Sequence, residues 1–107
     1  MSEERRAKMT KIEGMCSFFK AMSDPTRLKI LTELAGGRLC VTHISQKVGM
    51  SQSATSHQLA VLKRARLVKM TRSGKTAVYS ISDDHVRLML DMAMLHITEE
   101  GGSCLHE

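Results

Sequence analysis

Residues 83–99 concentrate the side chains best suited to holding a metal ion. Asp83-Asp84-His85 precedes an apolar run, and His96 and Glu99 stand at its end. His96 and Glu99 are three positions apart, so on a helix they share a face and can meet one ion. Asp83 and His85 are two apart, a spacing that works if Asp83 stands at the helix cap, where the backbone is not yet helical. His85 and His96 lie roughly 16 Å apart along one helix at the standard rise, too far to ligate one ion from one chain. If two such helices pack antiparallel about a two-fold axis, the start of one meets the end of the other. Each dimer then has two equivalent sites, built from Asp83 and His85 with the partner subunit's His96 and the partner subunit's Glu99. Two imidazoles and two carboxylates at tetrahedral geometry suit Zn²⁺. A plainer reading of the same residues makes Asp83 a cap, His85 a surface residue and Glu99 part of a solvated helix end. Glu100 is the alternative fourth donor if the helix frays early.

A second group suits DNA. From Ser51 to about Ala65 the polar positions 52, 53, 56, 57, 63 and 64 form one stripe, with Leu59, Leu62 and Ala65 largely away from it. Gln52, Ser53, Ser56 and His57 are hydrogen-bonding side chains in the N-terminal half, the part of a recognition helix that enters the major groove. Lys63 and Arg64 at its end suit phosphates, which fix register without reading sequence. Arg72 and Lys75, with Lys69 before them, form a basic hairpin tip. A polar stripe alone is more often a solvated face. The neighbouring helix, the basic hairpin and the net charge together favour DNA.

These side chains need a frame. Apolar residues Ile12, Met15, Cys16, Phe19 and Met22 recur at helical spacing from Met9 onward, after a charged start over residues 1–8 expected to be flexible. Ser23-Asp24-Pro25 ends that helix and caps a second one carrying Leu28, Leu31 and Leu34, which exits at Gly36-Gly37. A short helix from about Thr42 to Gly49 and the Ser51–Ala65 helix read as a helix-turn-helix. Leu67–Arg72 and Thr76–Ile81 read as two strands about Ser73-Gly74-Lys75. Ser82-Asp83-Asp84 opens a last helix through about Glu99, followed by a flexible Gly-rich tail over residues 101–107. The last helix is apolar almost all the way round, so it needs cover on every side. A second copy of the chain supplies that cover most economically, together with the first helix. The expected fold is mainly α with a β-hairpin wing: one winged helix-turn-helix domain over residues 1–107, as a homodimer.

Composition narrows the function. The chain has 107 residues and a formal charge of +5, which favours an anionic partner. Three aromatic residues and no Trp argue against a stacking platform for single-stranded nucleic acid. Three widely spaced cysteines and an N-terminus without an apolar core point to a reduced, cytoplasmic protein. Arg87, Asp91 and His96 interrupt the richest apolar run, so no membrane partner is expected. No activated nucleophile, phosphate-binding loop or separate general base accompanies the His/carboxylate set, and the chain reads as a non-enzyme.

Asp24-Pro25-Thr26-Arg27-Leu28-Lys29-Ile30-Leu31, Ser51-Gln52-Ser53-Ala54-Thr55-Ser56-His57-Gln58-Leu59 and the Leu67–Ile81 segment resemble the ArsR/SmtB winged-helix repressors. The resemblance spans about residues 15 to 100. It implies a dimeric repressor that binds an inverted-repeat, double-stranded operator without inducer and releases it when inducer binds. It also implies that Gln52, Ser53, Ser56 and His57 face the groove. The pattern Asp-x-His, ten residues, His-x-x-Glu resembles the interfacial site of the family's zinc and cobalt sensors. That makes Zn²⁺ the expected inducer, with Co²⁺ or Ni²⁺ as alternatives if Cys104 and His106 of the tail add ligands. Cadmium-, lead- and arsenic-responsive relatives carry Cys-Val-Cys where this chain has Cys40-Val41-Thr42, leaving Cys40 and His43 a partial site. Cys16 belongs to the apolar stripe and is expected to be buried. Two alternatives remain: a thiol-sensing repressor using Cys40 with Cys16 or Cys104, and a structural DNA-binding protein without effector.

Overall fold

The computed structural model describes residues 2–99. Its elements run α1 (Glu3–Met22), α2 (Pro25–Ala35), β1 (Leu39–Cys40), α3 (Val41–Val48), α4 (Gln52–Arg64), β2 (Val68–Ser73), β3 (Thr76–Ile81) and α5 (Asp84–Thr98). Each of the longer helices starts where a short polar side chain can take an orphan amide. Ser2 accepts from Arg5, Asp24 from Arg27, Ser51 from Ala54 and Asp83 from Val86. Pro25 at the first position of α2 fixes a helical φ where no amide donor is needed.

α1 begins at Glu3 rather than near Met9. The segment 3–8 lacks apolar periodicity, but Ser2 caps it and Glu3 and Glu4 sit favourably at the positive end of the helix dipole. Residues 3–8, expected to be a flexible start, are part of the helix. The tail over residues 101–107, with Cys104 and His106, and Glu100 lie outside the described residues.

β2 and β3 form the expected hairpin, with Val68 opposite Ile81 and Ser73 opposite Thr76. The turn needs a left-handed residue, and Gly74 supplies it at φ 66°. The short strand β1 is an addition to the sequence reading: Leu39 pairs with Tyr79 and Cys40 with Val78, giving the order β1-β3-β2. A two-residue strand has no alternation to detect, so local pattern could not reveal it.

The core gathers Ile30, Leu31 and Leu34 of α2, Ile44 of α3, Leu59 and Leu62 of α4, then Leu67, Val68, Ile81, Val86 and Leu90. α2 is the hub, packing on α1, α3, α4 and β3. α1 and α5 instead leave large apolar side chains in solvent: Met9, Ile12, Met15 and Phe19 on one, Leu88, Met92, Met94, Leu95 and Ile97 on the other. Cys16 is exposed too, because the stripe it belongs to faces outward from the single chain, against the expectation of burial. Among the described residues, no helix is long and apolar enough to cross a membrane.

Candidate functional site

The helix-turn-helix is set by two chain features. Gly49 ends α3 in the left-handed region at φ 71°, with its amide donating to the Ser45 carbonyl. Met50 donates to the same carbonyl at 3.0 Å, and Ser51 then caps α4. Thr55, Leu59 and Leu62 are buried along one side of α4. Thr55 hides its hydroxyl by donating to the Ser51 carbonyl at 2.8 Å. Helical period then sends Gln52, Ser53, Ser56 and His57 outward, and all four are exposed. Lys63 and Arg64 are exposed in the last turn, where cations also suit the helix dipole.

The hairpin beside α4 carries exposed Lys69, Arg72 and Lys75. Arg72 reaches across the turn and its Nη1 donates to the Lys75 carbonyl at 3.4 Å, which holds a cation at the tip. A row of short polar groups flanked by exposed cations is what a duplex reader needs: hydrogen bonds for base edges and charge for phosphates.

The metal candidates stand at the two ends of α5. At its start, the Asp83 Oδ1 accepts from the Val86 amide at 3.0 Å and lies 3.6 Å from the His85 Nδ1. The Val86 amide, and secondarily His85, hold the Asp83 carboxyl below the usual carboxylate range, so it stays ionised. The Asp83 carboxylate thus caps the helix through Oδ1 and also takes a backbone hydrogen bond from His85. His85 projects into solvent with 91% of its side chain accessible.

At the far end, α5 stops at Thr98 and Glu99 is its C-cap. The amide of Glu99 still donates to the Leu95 carbonyl, and its φ of −62° is helical; only its ψ of 146° turns the chain away. The Glu99 side chain therefore leaves from a helical position and shares a face with His96. The structure brings Asp83 to His85, and places His96 and Glu99 on one face at the other end. It does not bring the two pairs together within one chain. No group of three or more metal-binding side chains gathers among the described residues.

Helical spacing puts His85, Leu88, Met92, Leu95, His96 and Glu99 along one outward face of α5. Leu88, Met92 and Leu95 are 58%, 61% and 51% exposed. Both donor pairs thus frame an uncovered apolar stripe. The start of α5 is also anchored to the turn after α4: the Ser82 hydroxyl donates to the Arg66 carbonyl at 2.6 Å, and the Ser82 amide to the Leu67 carbonyl at 3.1 Å. Asp83 and His85 border a cleft of about 490 Å³ shared with Ser17 and Phe18 of α1 and with Arg64 and Arg66.

Two side chains that local pattern did not single out connect these parts. Arg27 donates through Nε to the Ala21 carbonyl at 2.8 Å and through Nη1 to the Gln58 Oε1 at 3.1 Å. Arg87 donates through Nη1 to the Ala35 carbonyl at 2.6 Å. The signal available in the sequence was a long cation amid apolar helical positions, which does not say where the guanidinium reaches.

The arsR family of bacterial regulatory proteins matches residues 24–70, from the cap of α2 into β2. The chain is 46% identical over 82 residues to the HTH-type transcriptional regulator NmtR of Mycobacterium tuberculosis, covering 77% of this chain and 68% of that protein. It is 39% identical to a Staphylococcus aureus homologue of the cadmium resistance transcriptional regulatory protein CadC, covering 76% and 68% respectively. Among solved structures, the homodimeric winged helix-turn-helix DNA-binding domain Mb0332 of Mycobacterium bovis superposes with a TM-score of 0.80 at 27% identity, covering 89% of this chain and 85% of that one. Sequence, hairpin wing and the exposed polar face of α4 agree, and the chain belongs to the ArsR family of bacterial regulatory proteins: a winged helix-turn-helix regulator and not an enzyme.

Proposed function

We propose that this protein is a metal-responsive transcriptional repressor whose metal-free dimer holds an inverted-repeat operator and lets go when a divalent ion binds at the dimer interface. One observation carries this reading: His85, His96 and Glu99 lie on the same outward face of α5 as the exposed stripe of Leu88, Met92 and Leu95. A second copy that covers the stripe antiparallel brings opposite ends of two α5 helices together. The donors would be Asp83 and His85 with the partner subunit's His96 and the partner subunit's Glu99. The set fits a borderline divalent ion, since two imidazole nitrogens and two carboxylates suit Zn²⁺, and Co²⁺ or Ni²⁺ where coordination expands. The half-exposed Asp83 carboxylate, held ionised, and the projecting His85 ring support the fit.

What a bound ion supplies is a cross-link between the two α5 helices. The chain's own residues do the rest. Gln52, Ser53, Ser56 and His57 of each protomer read adjacent major grooves, while Lys63, Arg64, Arg72 and Lys75 hold phosphates. A change in how the α5 helices pack alters the spacing and tilt of the two reading heads, and a palindromic operator tolerates only one spacing. The link to cadmium resistance in the name of one relative supports control of metal efflux or sequestration genes. The test is a gel-shift titration on DNA upstream of the protein's own coding region, first with chelator and then with Zn²⁺, Co²⁺, Ni²⁺ and Cd²⁺. Retention with chelator and release by one ion is the expected result. Equal binding in every lane would end the sensor reading.

A further inference from the structure

We propose that Arg87 and Arg27 are positioning residues that turn α2 into a strut between the metal-bearing helix α5 and the reading helix α4. The inference rests on the release reading above and adds the route by which α5 acts.

The C-terminal end of α2 has a specific need. The last carbonyls of a helix lack internal partners, and the helix dipole leaves negative charge there. Gly36 takes the Glu33 carbonyl and Gly37 the Leu34 carbonyl, but α2 has no basic residue in its own last turn. Arg87 fills that place from a distant part of the chain, with its guanidinium 2.6 Å from the Ala35 oxygen. It is half-buried, and a charge-assisted bond in such surroundings is among the stronger polar contacts available to a small domain. Arg87 lies in the first turn of α5, two residues after His85.

The other end of α2 is held in the same manner. Arg27 stands in its first turn and forks, one arm on the terminal turn of α1 at Ala21 and one on Gln58 of α4. Gln58 directly follows His57 on the reading helix. Between these grips α2 is set into the core, with Ile30, Leu31 and Leu34 fully buried, and close packing of this kind stiffens it. A displacement of the first turn of α5 therefore pulls on the Ala35 end of a stiff rod whose Arg27 end grips α4 beside its DNA-facing residues. Close-packed elements move as bodies and do not absorb such a pull by deforming.

A competing route exists. Ser82 ties the start of α5 directly to the turn after α4. Two variants separate the routes, each keeping side-chain bulk while removing one grip: Arg87→Met and Gln58→Met. The quantity measured is the factor by which Zn²⁺ weakens operator binding, with zinc affinity determined by chelator competition. Zinc-induced changes in amide hydrogen exchange over α4 provide a readout independent of DNA. In each variant, zinc affinity is expected to stay within about threefold of wild type, while the release factor falls at least about tenfold, within the range of ordinary allosteric couplings. The exchange response of α4 should shrink while that of α5 persists. Because the grips act in series, the double variant should lose little more than either single one. The two variants sit at opposite ends of α2, so either one decides the matter should the other fail to fold. A large wild-type factor left unchanged in the variants would overturn the strut alone and favour the Ser82 route. Losses that multiply independently in the double variant would overturn the series arrangement. A wild-type factor near 1 with zinc bound would overturn the release reading and the strut with it.

Discussion

At the residue scale, Asp83 has two jobs that substitution can separate. As a cap it accepts the Val86 amide, and as a proposed ligand it offers a carboxylate. Asn caps a helix about as well as Asp, whereas Ala does not. Asp83→Asn is therefore expected to keep the melting temperature near wild type while weakening zinc binding, and Asp83→Ala to lower both. The Asp83 carboxyl is held below its ordinary range in the folded chain, chiefly by the Val86 amide. Its contribution to stability is thus present above the unfolded pKa and is lost as the pH falls through the lower folded value. Asp83→Asn should flatten that part of the melting profile on acidification. The DNA face separates in kind. On the proposed function, His57→Ala should reduce the ratio of specific to nonspecific binding, because His57 faces outward from the N-terminal half of α4. Lys75→Ala should weaken both and lower the salt slope by about 1. Equal losses on both DNAs for His57→Ala would remove that residue from base reading.

At the scale of elements, the joint between α3 and α4 depends on Gly49 at φ 71°. Beyond its chain neighbours, no heavy atom lies within 4 Å of where a Cβ would stand, so the cost of Gly49→Ala is conformational, about 1–2 kcal/mol. Gly49→Asn, whose side chain tolerates the left-handed region, should cost less; urea denaturation of both variants checks the order. Such joints were legible in the sequence because Gly49, Gly74, Asp24-Pro25 and Ser51 each act within a few residues of where they stand. The helix-turn-helix, the hairpin and the last helix followed from them. What escaped reading depends on contacts at long range. β1 exists because β3 offers an edge some forty residues later, as the pairing of Leu39 with Tyr79 shows. The reach of Arg87 to Ala35 spans 52 positions. Cys16 followed a readable apolar stripe, but periodicity does not tell whether the stripe meets its own domain or another molecule. The same limit governs the metal candidates: the chain places two donor pairs, and only a second chain can join them.

At the scale of the whole molecule, one chain is more open than its length warrants. Its radius of gyration is 16.3 Å, against about 13 Å for a compact domain of this size. The excess comes from helices whose apolar sides lack cover. Met92→Glu, at an exposed site outside the core, should shift sedimentation toward the monomer and weaken operator binding while leaving the single-chain fold intact. The shared site has its own test. One chain carries Asp83→Ala with His85→Ala, and a differently tagged chain carries His96→Ala with Glu99→Ala. Each homodimer then holds half-sites alone, whereas the mixed dimer rebuilds one complete site and empties the other. One tight zinc per mixed dimer is the expected stoichiometry, against two for wild type. No tight zinc in the purified mixed dimer would mean that the donors do not meet across the interface.

The uncovered stripes on α1 and α5 also reach beyond structure, into dosage. A reader assembled from two chains obeys the law of mass action, and below the dissociation constant of the dimer its amount follows the square of the chain concentration. Doubling synthesis then roughly quadruples the species able to span an operator, and halving the pool by growth removes roughly three quarters of it. If Leu88, Met92 and Leu95 form the proposed interface, they also make the amount of dimer a steep function of copy number. On the proposed function, a cell that dilutes this protein through division would lose repression faster than it loses the chain, with no metal present at all.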